Sequence, residues 1–204
     1  MFDHILNTCT ALAANFSEIP AERKLILEKI SAYIKSNLEK SKPVNLIYVC
    51  THNSRRSHLG QVWAATAAAY YHVEGISTFS GGTEVTAFNP NAIRALSKAG
   101  FNVVKETGDA NPVYEVYYDN NTALNCFSKQ YNDAANPTQN FAAIMTCSDA
   151  EQNCPFIPGC DFRISTTYND PKAYDNTVLQ DEKYTERSYQ IAMECLYVFS
   201  KLTN

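Results

Sequence analysis

The chain has 204 residues, 45% of them hydrophobic, with a formal net charge of −4 and seven cysteines. Such a length buries a core without disulfides or a structural metal, and an odd number of cysteines with no spaced framework argues against an oxidised scaffold. The mild acidity and the lack of basic runs exclude a broad nucleic-acid surface, no apolar stretch reaches the length of a membrane span, and Met1-Phe2-Asp3-His4 lacks the cationic head of a signal peptide, so a reducing cytoplasm is expected.

From Phe2 to about Leu38 the apolar spacing is helical: Ile5, Leu6, Cys9 and Leu12, then, after Ile19-Pro20, Leu27, Ile30, Ile34 and Leu38. Residues 1–43 are therefore expected to be an N-terminal helical extension, either a layer added to the domain of residues 44–204 or a surface for a partner. Leu46-Ile47-Tyr48-Val49, preceded by Pro43, reads as a buried strand that delivers Cys50 at its carboxyl end. Thr51, His52, Asn53, Ser54, Arg55, Arg56 and Ser57 follow, and an alanine-rich helix runs from about Ser57 to Tyr71. A C-x5-R-S run between a strand and a helix suits a tetrahedral oxyanion. The loop amides, the helix dipole and the Arg56 guanidinium supply donors, and the thiol supplies a nucleophile. The dipole and Arg56 favour the thiolate, to which Ser57 can donate, while Asn53 can bond its own loop backbone and His52 and His58 are candidates to tune the sulfur. The plainer alternative, a packing cysteine at a strand end, is weakened by the order of strand, loop and helix around it.

Ile76-Ser77-Thr78-Phe79-Ser80 with Gly81-Gly82 reads as a second strand ending in a turn, and Asn89-Pro90 to Ala99, closed by Gly100, as a helix. Residues 113–140 break this rhythm with a hairpin: Val113 to Tyr118, a polar tip at Asp119-Asn120-Asn121, then Ala123 to Phe127. It is read as an insertion at an edge or beside the site. Phe141 to Met145 supplies a third strand and Phe162-Arg163-Ile164 a short fourth. The predicted fold class is α/β, a doubly wound, three-layer arrangement with a four-stranded parallel sheet flanked by helices.

The third strand leads into Thr146-Cys147-Ser148-Asp149-Ala150-Glu151-Gln152-Asn153-Cys154-Pro155, at the sheet edge that carries Cys50. Ser148 and Glu151 form a capping-box pattern for a short helix, stopped by Pro155, Pro158 and Gly159. Seven helical residues hold two sulfurs about 10 Å apart, whereas a disulfide wants Cα atoms roughly 4.4–6.8 Å apart, so pairing Cys147 with Cys154 requires unwinding, as a redox relay would. Two unrelated thiols are the plain alternative; a zinc site is a poor one, since the spacing comes without a nearby histidine. Asn169-Asp170-Pro171 offers an acid on a loop, suited to protonating a leaving oxygen, although Asp-Pro is also an ordinary turn. Cys9, Cys126 and Cys195 read as packing residues, and Cys160 as a candidate to exchange with the relay.

The run from Cys50 to Ser57 resembles the C-x-G-N-x-C-R-S loop of low-molecular-weight protein tyrosine phosphatases, with His52 in place of the glycine and Arg55 in place of the second cysteine. A positive φ at position 52 would strain histidine. Thr146 to Ala150 and Asn153-Cys154-Pro155, with Gly81, Asn89-Pro90-Asn91-Ala92 and Lys98-Ala99-Gly100, resemble thioredoxin-coupled arsenate reductases of the same superfamily. The likeness covers about residues 44–112 and 141–202. It implies a phosphatase I-like fold and arsenate reduction. The amides of residues 51–56 and Arg56 hold the oxyanion, Cys50 attacks it and Asp170 protonates the leaving oxygen. A disulfide then passes from Cys50–Cys147 to Cys147–Cys154, with thioredoxin as reductant. It implies no tightly bound cofactor beyond a potassium ion on Asn53, Ser80 and Asp109, with Gln61 in place of an acidic ligand. Two readings stand beside it. One is a low-molecular-weight protein tyrosine phosphatase that hydrolyses phosphotyrosine through a phosphocysteine, although Lys172 stands where an aromatic residue usually follows Asp-Pro. The other is a non-catalytic anion or redox sensor.

Overall fold

The computed structural model describes residues 1–106, 110–153 and 156–203; Asp109 and Cys154, expected as an ion ligand and a relay thiol, lie outside the described residues. Helices α1 (Asp3–Ala13) and α2 (Ala21–Leu38) precede strand β1 (Val44–Cys50). Helix α3 (Arg56–Tyr70) leads to β2 (Ile76–Gly82), and α4 (Pro90–Lys98) to β3 (Asn102–Lys105), β4 (Tyr114–Tyr117) and β5 (Ala123–Cys126). The chain then runs through β6 (Phe141–Met145), α5 (Ser148–Asn153), β7 (Cys160–Ser165) and α6 (Gln180–Ser200).

Alternation along β1 explains the layering. Leu46 and Tyr48 enter one core, while Ile47 and Val49 enter a second core on the opposite face, the two-sided burial of a central parallel strand. Parallel pairing on both sides of β1 gives the order β2-β1-β6-β7, with Cys50 opposite Gly82 and Val49 opposite Met145. On one face lie α3 and α6, with α1, α2 and α4 packed against α6. The other face is closed by α5 and by side chains such as Tyr131 and Ile157. This is the expected three-layer α/β fold with a four-stranded parallel sheet.

Two glycine-level and cap-level details fix how α3 and α4 sit. A Cβ on Gly60 would lie 2.3 Å from the Tyr48 ring, so glycine lets α3 rest directly on β1 behind Cys50. Asn89 caps α4, its side chain accepting from the amides of Asn91 and Ala92, and Pro90 occupies the first turn.

Two local expectations need correction. The hairpin of β4 and β5 forms around Asp119, whose Oδ1 accepts from the amides of Asn121 and Thr122, but β3 joins it to make a three-stranded antiparallel sheet. Four residues, mostly exposed, are too short and too polar in setting for β3 to show as a strand in sequence. Helix α5 is present, yet its first turn is held by Cys147: the Ala150 amide donates to Sγ at 3.4 Å and the Glu151 amide to the Cys147 carbonyl at 3.1 Å. The sulfur does the capping that the Ser148 and Glu151 pattern suggested for an oxygen. Among the described residues, no helix is long and apolar enough to cross a membrane.

Candidate active site

Cys50 ends β1 with 4% of its surface exposed, and Ser57 Oγ lies 3.1 Å from its sulfur. The loop between them is tied down through its carbonyls. Those of Cys50 and Thr51 accept from the amides of Thr83 and Glu84, that of His52 from the hydroxyls of Thr86 and Ser128, and that of Ser54 from the Asn89 amide. Among the described residues, none of the amides of residues 51–57 donates to a protein acceptor. A loop whose carbonyls at Cys50, Thr51, His52 and Ser54 are used on the outside leaves its N–H groups for an anion held over the sulfur.

The left-handed residue of this loop is Asn53, with φ at 43°, so His52 carries no such strain. Asparagine tolerates that conformation better than most residues. Asn53 does not bond its own loop backbone: Nδ2 donates to Ser57 Oγ at 2.8 Å and Oδ1 accepts the Lys129 amide at 2.9 Å. It thereby fixes the hydroxyl that faces the thiol. His52 points outward to Glu84 at 3.3 Å, and His58 bonds Ser80 Oγ at 3.1 Å; neither histidine bonds the Cys50 sulfur.

Arg56 opens α3 and is 9% exposed. Its Nη2 donates to Asp170 Oδ2 at 2.6 Å and its Nη1 to the Tyr168 carbonyl at 2.8 Å, while Nε is buried without a partner among the described residues. The other Asp170 oxygen accepts from the Lys172 amide and caps the short helical turn Pro171–Tyr174. The structure thus brings Asp170, far away in sequence, against the arginine of the loop. Arg55 turns away. Its Nε donates to the Tyr184 hydroxyl at 2.6 Å and its Nη2 to Asp175 at 3.2 Å, tying the loop to α6 and to the segment before it.

Cys147 follows β6 and is 1% exposed. Its sulfur lies 3.4 Å from Thr51 Oγ1, and the preceding Thr146 bonds the Val49 carbonyl through both its amide, at 2.7 Å, and its hydroxyl, at 2.9 Å. Two adjacent parallel strands therefore end in thiols, with one side chain of the oxyanion loop touching the second sulfur. The other described cysteines differ. Burial pushes the thiols of Cys9, Cys126 and Cys195 up to about 12, which keeps them protonated and inert. Burial also raises the Cys160 thiol, whose Sγ donates to the Phe162 carbonyl at 3.0 Å.

Sequence reasoning missed the back wall of the site. The chain after β5 runs behind the loop: Ser128 holds the His52 carbonyl, Lys129 holds Asn53, and Asn136 Nδ2 donates to the Ser80 carbonyl at 3.0 Å. The insertion therefore does more than extend an edge. Lys129 is 4% exposed with its ammonium 4.5 Å over the Phe127 ring, and burial lowers its pKa. Its position between Phe127 and Tyr131 was the one available signal, a lysine two residues from an aromatic on either side.

Burial, and then the Lys129 charge, push His58 well below the ordinary histidine value. The unfolded chain takes up a proton below pH 6.5 that the folded chain refuses, so this histidine should lower stability by about 1.4 kcal/mol per pH unit from there down to its folded-state pKa. His58→Gln should flatten that part of the acid limb in a denaturant series; an unchanged slope would refute the assignment.

No protein-family model matches the chain. Over 113 residues it is 29% identical to an arsenate reductase of Staphylococcus aureus (strain bovine RF122 / ET3-1), spanning 55% of this chain and 67% of that one. The low-molecular-weight phosphotyrosine phosphatase VcLMWPTP-2 of Vibrio cholerae O395 superposes with a TM-score of 0.54 at 13% identity, over 78% of this chain and 95% of that one. A YwlE mutant from Bacillus subtilis superposes with a TM-score of 0.54 at 14% identity, over 79% and 99%.

Proposed function

From the premise that this chain has the low-molecular-weight phosphotyrosine phosphatase fold and is related in sequence to an arsenate reductase, we propose that it is an enzyme reducing arsenate to arsenite. The observation that carries the reading is the second buried thiol, Cys147, held 3.4 Å from Thr51 of the oxyanion loop. Hydrolysis of a phosphate ester needs one thiolate, an arginine and an acid. Reduction needs a second thiol within reach of the first.

In this reading the amides of residues 51–56 and the free Nε of Arg56 take the arsenate oxygens, and Ser57 steadies the Cys50 thiolate. The bound anion competes with Asp170 for Arg56, which turns the carboxyl toward the oxygen that leaves. Cys50 attacks arsenic(V), and one hydroxyl departs as water with a proton relayed by Asp170, which takes it from the second hydroxyl of the bound dihydrogen arsenate once the anion has displaced the carboxylate from Arg56. The Cys147 thiolate then attacks Cys50 sulfur. As the sulfur–arsenic bond breaks, its electron pair stays on arsenic, which leaves as arsenite, and a Cys50–Cys147 disulfide remains. Cys154 displaces Cys50 to give Cys147–Cys154, and a dithiol protein of the thioredoxin class takes over that bond by exchange. Residues 1–43 are taken as an extension of the catalytic domain of residues 44–204, with 113–140 as its insertion. A reducing compartment such as the cytoplasm goes with this reading, on the odd number of cysteines and their lack of a spaced framework.

A potassium ion on Asn53, Ser80 and Asp109 fits the described residues poorly. The Asn53 oxygen is engaged by the Lys129 amide, the Ser80 hydroxyl by His58, and the Lys129 ammonium acts on His58 as buried like charge in the same region, so that among the described residues of the expected set only Gln61 Oε1, buried without a partner, is left for a cation. The reaction is accordingly assigned no step through the ion.

The test is to treat fully reduced protein with arsenate, block remaining thiols, and map the linked cysteines by mass spectrometry. A Cys147–Cys154 product formed in step with arsenite is expected. Protein that hydrolyses an aryl phosphate while arsenate leaves every thiol free would make the phosphatase reading the correct one.

A further inference from the structure

We infer that Arg23, on α2 and outside the oxyanion site, is a positioning residue that holds the Thr166–Asp170 segment and, through the Tyr168 peptide, sets the Arg56 guanidinium on the oxyanion. This rests on the reading above only in taking the loop of residues 51–56 as an oxyanion site.

The contacts run without a gap. Arg23 Nη2 donates to the Thr166 carbonyl at 3.0 Å and to Glu194 Oε2 at 2.8 Å, and Nε reaches both Glu194 oxygens at 3.1 and 3.0 Å. Its guanidinium also lies 4.8 Å from the centre of the Tyr168 ring. Glu194, 3% exposed on α6, accepts the Tyr168 hydroxyl at 2.7 Å. Tyr168 is thus gripped at its ring and hydroxyl by one charge pair. Its own peptide is shared between the two halves of the site: its amide donates to the Thr146 carbonyl, next to Cys147, at 3.1 Å, and its carbonyl accepts from Arg56 at 2.8 Å. Asp170 lies two residues further along.

A buried carboxylate and the part-buried guanidinium against it are costly to desolvate, and a pair with apolar replacements is often at least as stable. What such a pair does supply is a fixed direction, because the planar fork of arginine bonds two oxygens of the carboxylate and one carbonyl at once. Here the direction fixed is that of the segment leading to the acid. Lysine would keep the charge opposite Glu194 and lose the simultaneous grip on Thr166.

The readout is the affinity for inorganic phosphate, measured as protection of Cys50 from iodoacetamide, which needs no turnover. Arg23→Lys should raise the dissociation constant about fivefold to tenfold while the melting curve remains a single cooperative transition. Tyr168→Phe, which removes only the hydroxyl that Glu194 grips, should do the same, and the double variant should be no worse than the single ones, since both act along one path. If Arg23→Lys does not fold, Tyr168→Phe alone decides. Folded variants that bind phosphate as the unaltered protein does would overturn the inference, and so would strictly additive losses. Unaltered protein that protects Cys50 with phosphate but turns over neither arsenate nor aryl phosphate would remove the proposed reaction and leave this inference standing.

Discussion

Cys50→Ser should abolish arsenate reduction and aryl phosphate hydrolysis together, each by at least about 10⁴-fold, or ~5.5 kcal/mol of transition-state stabilisation. A serine hydroxyl in place of the thiol is a far weaker nucleophile at neutral pH and cannot enter a disulfide at all. The expected loss is chemical and not structural. Serine keeps a polar contact with Ser57, which lies 3.1 Å from the sulfur, and the loop carbonyls remain held from outside by residues 83–89 and 128. Stability should stay within about 1 kcal/mol by denaturant unfolding. Residual turnover above a hundredth of the original on either substrate would place the nucleophile elsewhere.

Cys147→Ser should divide the two activities. Arsenate reduction should fall to background, because no second thiol stands ready to take the Cys50 sulfur. Hydrolysis of an aryl phosphate should remain within about threefold, because Cys50, Arg56 and Asp170 are untouched. The same substitution is mild for the fold. Serine is among the preferred N-cap residues, so it can accept the Ala150 amide that the sulfur now accepts at 3.4 Å, and α5 should persist. Arsenite production by this variant, with thioredoxin and its reductase regenerating the protein, would end the relay.

The parts of this molecule that were legible in sequence are those whose signal is local. Apolar runs of the kind buried on both faces placed β1 and β6, shorter mixed runs placed β2 and β7, and a contiguous C-x5-R-S run placed Cys50, Arg56 and Ser57 together. Cys147 could be assigned to the same edge because parallel strands deliver their carboxyl ends to one side. What was not legible depends on contacts between distant segments. Nothing in the run around Arg23 marks it as different from any other charged residue on a helix, and in the run from Ser128 to Asn136 only Lys129, set between two aromatic residues, hints at the burial that backs the oxyanion loop. The motif alone points to position 52 as the place where a positive φ would strain the chain, whereas the backbone turns at Asn53. There the side chain has a purpose that the motif does not display, holding Ser57 and Lys129 at once.

The cap on α5 carries a consequence for redox poise. A helix of six residues depends heavily on its first turn, and the sulfur that holds that turn is the one proposed to become oxidised. In a disulfide it can no longer act freely as that acceptor, so whatever the cap contributes belongs to the dithiol form alone. A cap of about 1 kcal/mol favours the dithiol over the disulfide by that amount, which raises the midpoint potential of the couple by about 20 mV. In the proposed relay the dithiol would then be slightly harder to oxidise and the disulfide slightly easier for a reductant to reopen, so a single hydrogen bond to sulfur would set part of the driving force for regenerating the protein.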